Sequence, residues 1–197
     1  MDINHKLENM LNNNEGWITL KEVQSKGIDR HEFYAFAEQA GLIRSGRGIY
    51  TTADVWPDAM YSIHLRSAQI IFSHESALFL HDLTDREPFR HSVTVKTGYN
   101  PHRLKEDGIK VYTIKEELLE LGRSQANTPF GHIVPVYDKE RTLCDMVRSR
   151  NQMDKQILQG AMKAYGRRQD KNLRNLMIYA EALRINTVLT PYLDLLL

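Results

Sequence analysis

The stretch HEFYAFAEQAGLIRSGRGIYTT, residues 31–52, decides how the first part of this chain is read. Phe33, Phe36, Ala37 and Ala40 recur at helical spacing, so the stretch opens as an amphipathic helix that Gly41 stops. A short apolar strand follows, then the turn Ser45-Gly46-Arg47-Gly48 and a second strand, Ile49-Tyr50-Thr51. Upstream, Ile3, Leu7, Met10 and Leu11 predict a first helix, and Asn12-Asn13-Asn14-Glu15-Gly16 ends it with turn chemistry. Trp17-Ile18 fits a short strand. Thr19-Leu20-Lys21-Glu22 has the form of a capping box, opening a second helix that buries Leu20 and Val23 and stops at Gly27. Asp29, followed at the same spacing by Glu32, caps the third helix.

Helix, short strand, helix, tight turn, helix and hairpin is the layout of a winged helix-turn-helix, expected over residues 1–54. In such a layout the second helix of the pair enters the major groove and shows its first residues to base edges. Here those are Arg30, His31 and Tyr34. The hairpin is the wing, whose Arg44 and Arg47 reach phosphates or the neighbouring minor groove, while Lys21 and Lys26 face the flanking backbone. Two of these residues have a second reading: Tyr34 as packing against the wing, His31 as a solvated first-turn residue. The predicted partner is double-stranded DNA. The alternative is a winged helix that serves as a protein-interaction module and sequesters a partner.

Composition frames this reading. With 42% hydrophobic and 26% charged residues in 197, the chain is globular in composition, neither disordered nor fibrous. Its formal net charge is only +1. The charge is uneven: residues 138–197 carry eleven Lys/Arg against seven Asp/Glu. A single cysteine, Cys144, excludes an internal disulfide and suits a reducing compartment. No stretch approaches the roughly 18 apolar residues of a membrane span and the N-terminus lacks a signal-peptide core, so a cytoplasmic protein with no membrane partner is expected.

Thr51-Thr52-Ala53-Asp54 and Pro57 mark the boundary to a second domain, 55–197, expected to be mixed but mostly helical with a small sheet, making the chain α+β overall. Residues 58–83 read as two helices, the second capped at Ser73. Strands are expected at 91–96, 109–114 and 131–137, with Asn100-Pro101 turning between the first two. Thr113-Ile114-Lys115-Glu116 reads as a capping box opening a short helix through Leu121. From Asp138 the pattern is helical, with apolar stripes at Leu143, Met146 and Val147, at Ile157, Leu158 and Ala161, at Leu173, Leu176, Met177 and Ala180, and at Leu189, Tyr192 and Leu193.

Nothing in this domain reads as catalytic, and neither a metal nor a cofactor is expected. His74-Glu75 and His81-Asp82 offer metal-site materials, but the H-E-x-x-H spacing needs histidine at 78, where leucine stands. Seven residues span about two turns of roughly 5.4 Å, too far for two ligands on one helix to share an ion. Capping or core histidines are expected instead. No phosphate-cradling glycine loop occurs. Lys96, read as a restriction-nuclease lysine, lacks an acidic residue two positions before it, where Thr94 stands. Cys144 is expected to be a small buried apolar residue. Glu140, Arg141 and Asp145 are expected as helix-surface pairs. Arg148, Arg150, Lys163, Arg167, Arg168, Lys171 and Arg174 form either a solvated surface or a second nucleic-acid contact.

The chain resembles the AbiEi family, the antitoxin half of type IV toxin-antitoxin systems that include abortive-infection loci. The resemblance is carried by Trp17-Ile18-Thr19, Val23, Gly27-Ile28, Gly41-Leu42-Ile43 and Gly48-Ile49-Tyr50. It continues in the stretch from Ile71-Phe72-Ser73-His74 to His81-Asp82-Leu83, in Glu140-Arg141-Thr142-Leu143-Cys144-Asp145, and in the helix containing Tyr179-Ala180. Asp82 stands where a glycine is common in that family. The resemblance implies an autorepressor that binds inverted repeats in its own promoter through the winged helix. It also implies a C-terminal domain that counteracts a nucleotidyltransferase-like toxin without forming a stable complex with it.

Overall fold

The computed structural model describes residues 2–193, a mixed α+β chain that divides into two compact units, Met1–Ala68 and Gln69–Leu197. The division falls after Ala68 rather than at 54, so the helix following Pro57 belongs to the first unit. Among the described residues, no helix is long and apolar enough to cross a membrane.

The first unit runs α1 (Ile3–Asn13), β1 (Trp17–Thr19), α2 (Leu20–Ser25), α3 (Arg30–Gln39), β2 (Ile43–Gly46), β3 (Ile49–Thr51) and α4 (Ala59–Arg66). Thr19 caps α2 by accepting the Glu22 N–H, but the expected box stays half-made because the Glu22 carboxylate takes the Asn14 side-chain amide instead. At α3 the box is complete: the Asp29 side chain accepts at the helix start and the Glu32 carboxylate accepts the Asp29 N–H. Such a cap contributes about 1 kcal/mol. Leu7, Leu11, Ile18, Val23, Ile28, Phe33, Phe36 and Ala37 form the core between these helices, with α1, α2 and α3 each supplying one apolar face. β3 is the middle of an antiparallel sheet in the order β1-β3-β2, in which Trp17 opposes Thr51. The β2–β3 register slips by one residue between Arg44 and Gly46, and Gly48 turns the chain at φ +72°, a conformation that L side chains disfavour. α4, capped by the Asp58 carboxylate, buries Met60 and Ile63 and sets Tyr61 edge-on to Trp17 at 5.2 Å.

The second unit centres on a five-stranded sheet in the order β6-β5-β4-β8-β7. Its strands are β4 (Ile71–Phe72), β5 (Ser92–Lys96), β6 (Lys110–Ile114), β7 (Arg123–Asn127) and β8 (Ile133–Tyr137). β4 and β7 had no sequence signal: two residues are too few to show alternation, and Arg-Ser-Gln-Ala-Asn is a polar edge. β5 and β6 are parallel, so the expected simple turn at Asn100-Pro101 is a crossover carrying α6 (His102–Glu106). The Thr113 cap does not form because Thr113 pairs with Val95 inside β6, and only a 3-10 turn, Glu116–Leu118, follows. α5 (His74–Leu80) and α7 (Lys139–Arg148) pack together, with α8 (Lys155–Gly166), α9 (Leu173–Ala182) and α10 (Asn186–Leu193) completing a core that includes Leu78, Leu143, Met146, Leu158, Tyr165, Leu176 and Leu189.

Two stripes depart from expectation. On α7 the whole run from Glu140 to Val147 is buried, so Glu140, Arg141 and Asp145 are interior groups rather than surface pairs. On α9 only Leu176 and Ala180 are buried; Leu173 and Met177 face out.

Candidate nucleic-acid interface

In the first unit, α3 is held from below by Phe33, Phe36 and Ala37, which leaves Arg30, His31 and Tyr34 exposed on its other side. Arg30 and His31 fall in the first turn because the Asp29 box fixes where the helix begins. Lys21 is exposed at the start of α2 and Lys26 at its end. On the hairpin, Arg44 and Arg47 are exposed, and the Arg44 Nε–H reaches the Gly46 carbonyl at 3.4 Å, across the bulge. Tyr34, Arg44, Arg47, Leu20, Gly48 and Tyr50 line one open concavity. Lys21, Lys26, Arg30 and His31 lie outside it.

Tyr34 is exposed and also packs toward the hairpin. The residue is 41% exposed, and its ring lies 6.4 Å from that of Tyr50 and 5.9 Å from that of Phe33, centre to centre. Tyr50 went unremarked as a site residue. The signal was in the strand alternation: Ile49 and Thr51 are buried, so the residue between them turns to the opposite face. Two guanidiniums and two phenol rings around one opening supply charged and neutral donors of the kind that phosphate oxygens accept.

In the second unit the seven candidate basic residues separate into two sets. Arg168 binds Asp170 through Nε at 2.7 Å and Nη2 at 3.0 Å, and Lys171 donates to the Gly166 carbonyl. Arg150 donates to the Val147 carbonyl, and Arg148 stands 4.0 Å from Asp145. These four are drawn into the fold. Lys163, Arg167 and Arg174 stay exposed.

The histidines have structural partners. His74 is buried with φ 51°, its ring stacked at 3.5 Å on Tyr112; Nδ1 lies 3.0 Å from the Ser73 hydroxyl and Nε2 3.1 Å from the Ser149 hydroxyl. Ser73 therefore does not cap α5 with its side chain; its hydroxyl accepts from Thr94 and contacts the imidazole. Burial, reinforced by the Arg148, Lys110 and Arg141 cations, pushes His74 well below the usual histidine range. His81 Nε2 lies 2.6 Å from the Tyr137 carbonyl, and burial lowers it too. Lys96 lies 3.4 Å from the Glu116 carboxylate. Among the described residues, no group of three His, Cys, Asp or Glu side chains is placed to hold a metal ion. Burial pushes the Cys144 thiol up to about 12, far from the thiolate range in which cysteine is nucleophilic.

The strongest charge constellation is one the sequence concealed. Arg141, with no exposed surface, donates from Nε to Asp145 at 3.0 Å, from Nη1 to the Leu118 and Leu121 carbonyls, and lies 4.1 Å from the Tyr137 ring centre. Burial raises the Asp145 carboxyl against the opposing pull of Arg141 and Arg148. Glu140 accepts from the Tyr165 hydroxyl at 2.6 Å and from the Asn172 N–H at 3.0 Å, tying α7 to α8 and to the start of α9. These bonds knit helices together.

No protein-family model matches the chain, and no curated protein does. Among solved structures, the RV2827C protein from Mycobacterium tuberculosis is similar over 98% of this chain and 76% of its own, with a TM-score of 0.62 at 14% identity. At that identity the likeness is one of fold.

Proposed function

We propose that the first unit is a winged helix-turn-helix that binds double-stranded DNA, with α3 entering the major groove and the β2–β3 hairpin as its wing. One observation carries the reading: a capped helix with its first-turn Arg30 and His31 exposed is followed directly by a basic hairpin, and Tyr34, Arg44 and Arg47 converge on one open surface. In this reading Arg30 and His31 meet base edges, Arg44 and Arg47 meet phosphates, and Lys21 and Lys26 steady the flanking backbone. The resemblance to the AbiEi family extends the proposal: an autorepressor of its own operon whose second unit counteracts a nucleotidyltransferase-like toxin. We assign the second unit no catalytic step, because His74, His81, Glu140, Arg141 and Asp145 are engaged in bonds that hold helices and strands together.

The test is fluorescence anisotropy of the full chain against the duplex upstream of its gene and a scrambled duplex, over a salt series. Preferential binding to the upstream duplex that weakens steeply with salt is expected, because each phosphate contact releases counterions. Arg47→Ala lowers affinity for both duplexes and reduces the salt slope by about 1, whereas Arg30→Ala narrows the preference between them. Equal, weak binding to both duplexes would overturn the operator reading and favour a protein-contact module.

A further inference from the structure

α9 presents a face that its own unit does not cover. Leu176 and Ala180 fill the core side, while Leu173, Met177 and Ile178 stand 36%, 42% and 46% exposed on the outside. Arg174 and Glu181 are exposed on the same side, as is Ala182. At 100° per residue these six positions sweep half of the helix circumference. Arg174 and Glu181 lie close to its centre line, with Met177 on one flank and Ile178 on the other.

The spacing along the axis sets the partner. Arg174 and Glu181 lie equally far, in opposite directions, from the point midway between Met177 and Ile178, and about 10 Å from each other. A two-fold axis through that point brings a second α9 alongside, antiparallel. Arg174 then faces Glu181 of the second copy and Glu181 faces Arg174 of the second copy. Met177 meets its counterpart on one flank and Ile178 on the other. A parallel arrangement would set arginine on arginine. The face is complementary to itself in one orientation only, which is the property that a closed two-fold contact requires.

We propose that the exposed face of α9 is a self-association surface, and that its occupant is α9 of a second copy of this chain, packed antiparallel. One face of a ten-residue helix is well below the roughly 800 Å² per partner of a standard interface, so the dimer is weak. The contact holds two charge pairs in all, each copy supplying one arginine and one glutamate, and they frame an apolar centre. The proposal needs no nucleic acid and stands apart from the reading of the first unit.

Sedimentation equilibrium of the full chain, without DNA and up to about millimolar concentration, tests it. A monomer–dimer equilibrium is expected. Arg174→Glu turns both charge pairs into like-charge pairs and raises the dissociation constant about tenfold, as does Glu181→Arg. The double reversal, Arg174→Glu with Glu181→Arg, restores opposite charges and brings the constant back to within about threefold of the parent. A chain that stays monomeric throughout overturns the proposal. So does a dimer indifferent to the single reversals, or one that the double reversal fails to restore. Because all substituted positions are exposed, a circular dichroism spectrum unchanged from the parent separates loss of contact from loss of fold.

Discussion

Arg141 and Asp145 show how one residue's meaning depends on depth. Their i,i+4 spacing fits a surface ion pair worth a few tenths of a kcal/mol, yet both are sealed from water, where an unpartnered charge is far more costly. Arg141→Met is expected to destabilise the second unit by about 3 kcal/mol, because it leaves the buried Asp145 carboxylate with only the half-buried Arg148 guanidinium, 4.0 Å away, to oppose it. Adding Asp145→Leu recovers most of that loss, and urea unfolding of the two variants reads the difference. Gly122 belongs to the same constellation: it sits at φ +74°, and a Cβ there would come within 2.5 Å of the Arg141 Cβ, so the backbone passes where only glycine fits. His74 makes a different forecast. The folded chain keeps its imidazole neutral below the ordinary value of 6.5, whereas the unfolded chain takes up a proton there, so stability falls as pH drops below about 6.5. His74→Asn, which tolerates the left-handed backbone, removes up to about 1.4 kcal/mol per pH unit from that slope and leaves the share contributed by His81. Urea midpoints at pH 7.5 and 5.5 give the comparison.

Elements were legible in the sequence where a cap met a periodic run. Asp29, Asp138, Asp154 and Asn172 each accept a backbone N–H at the start of a helix, and the helices they begin lie in segments where helical periodicity was evident. Asp29→Ala is expected to cost the first unit about 1 kcal/mol in thermal unfolding, since it removes a complete capping box. Elements escaped where tertiary pairing overrode local pattern. Thr113 has cap chemistry but is pinned in a parallel ladder, and Ser73 precedes a helix yet turns its hydroxyl toward Thr94 and His74. The candidate interface was legible in part: exposed arginines on a turn and at a helix start declare themselves by position, but of the residues so named only Tyr34, Arg44 and Arg47 line the concavity. Tyr50 was not, since the burial of Ile49 and Thr51 turns it to the helix side of the sheet, where its ring packs on Phe33 at the edge of the opening. The basic run in the second unit misled in part: Arg168 and Lys171 close a turn, which charge counting does not reveal.

At the scale of the whole molecule, the placement of α4 matters most for anyone dividing the chain. Met60 and Ile63 are buried, and Tyr61 lies against Trp17, so the first unit needs this helix to cover its sheet. A fragment of residues 1–68 is expected to unfold cooperatively on heating. A fragment of 1–54, cut at the boundary read from composition, is expected to melt without a sharp transition, as differential scanning calorimetry would record. Asp82 stands at φ 55°, in the left-handed region that glycine occupies at least cost.

The two-residue strand β4 has a consequence for biosynthesis. It lies at the middle of the sheet, with β5 on one side and β8 on the other, and Phe72 pairs in parallel with Val136, far downstream. A ribosome delivering this chain from its N-terminus therefore releases Ile71 and Phe72 long before their second neighbour exists. Until residues 133–137 emerge from the exit tunnel, that apolar centre has one open flank. The nascent second unit is then a natural client for whatever shields hydrophobic chain at the tunnel mouth, and a pause upstream of Ile133 would prolong its exposure.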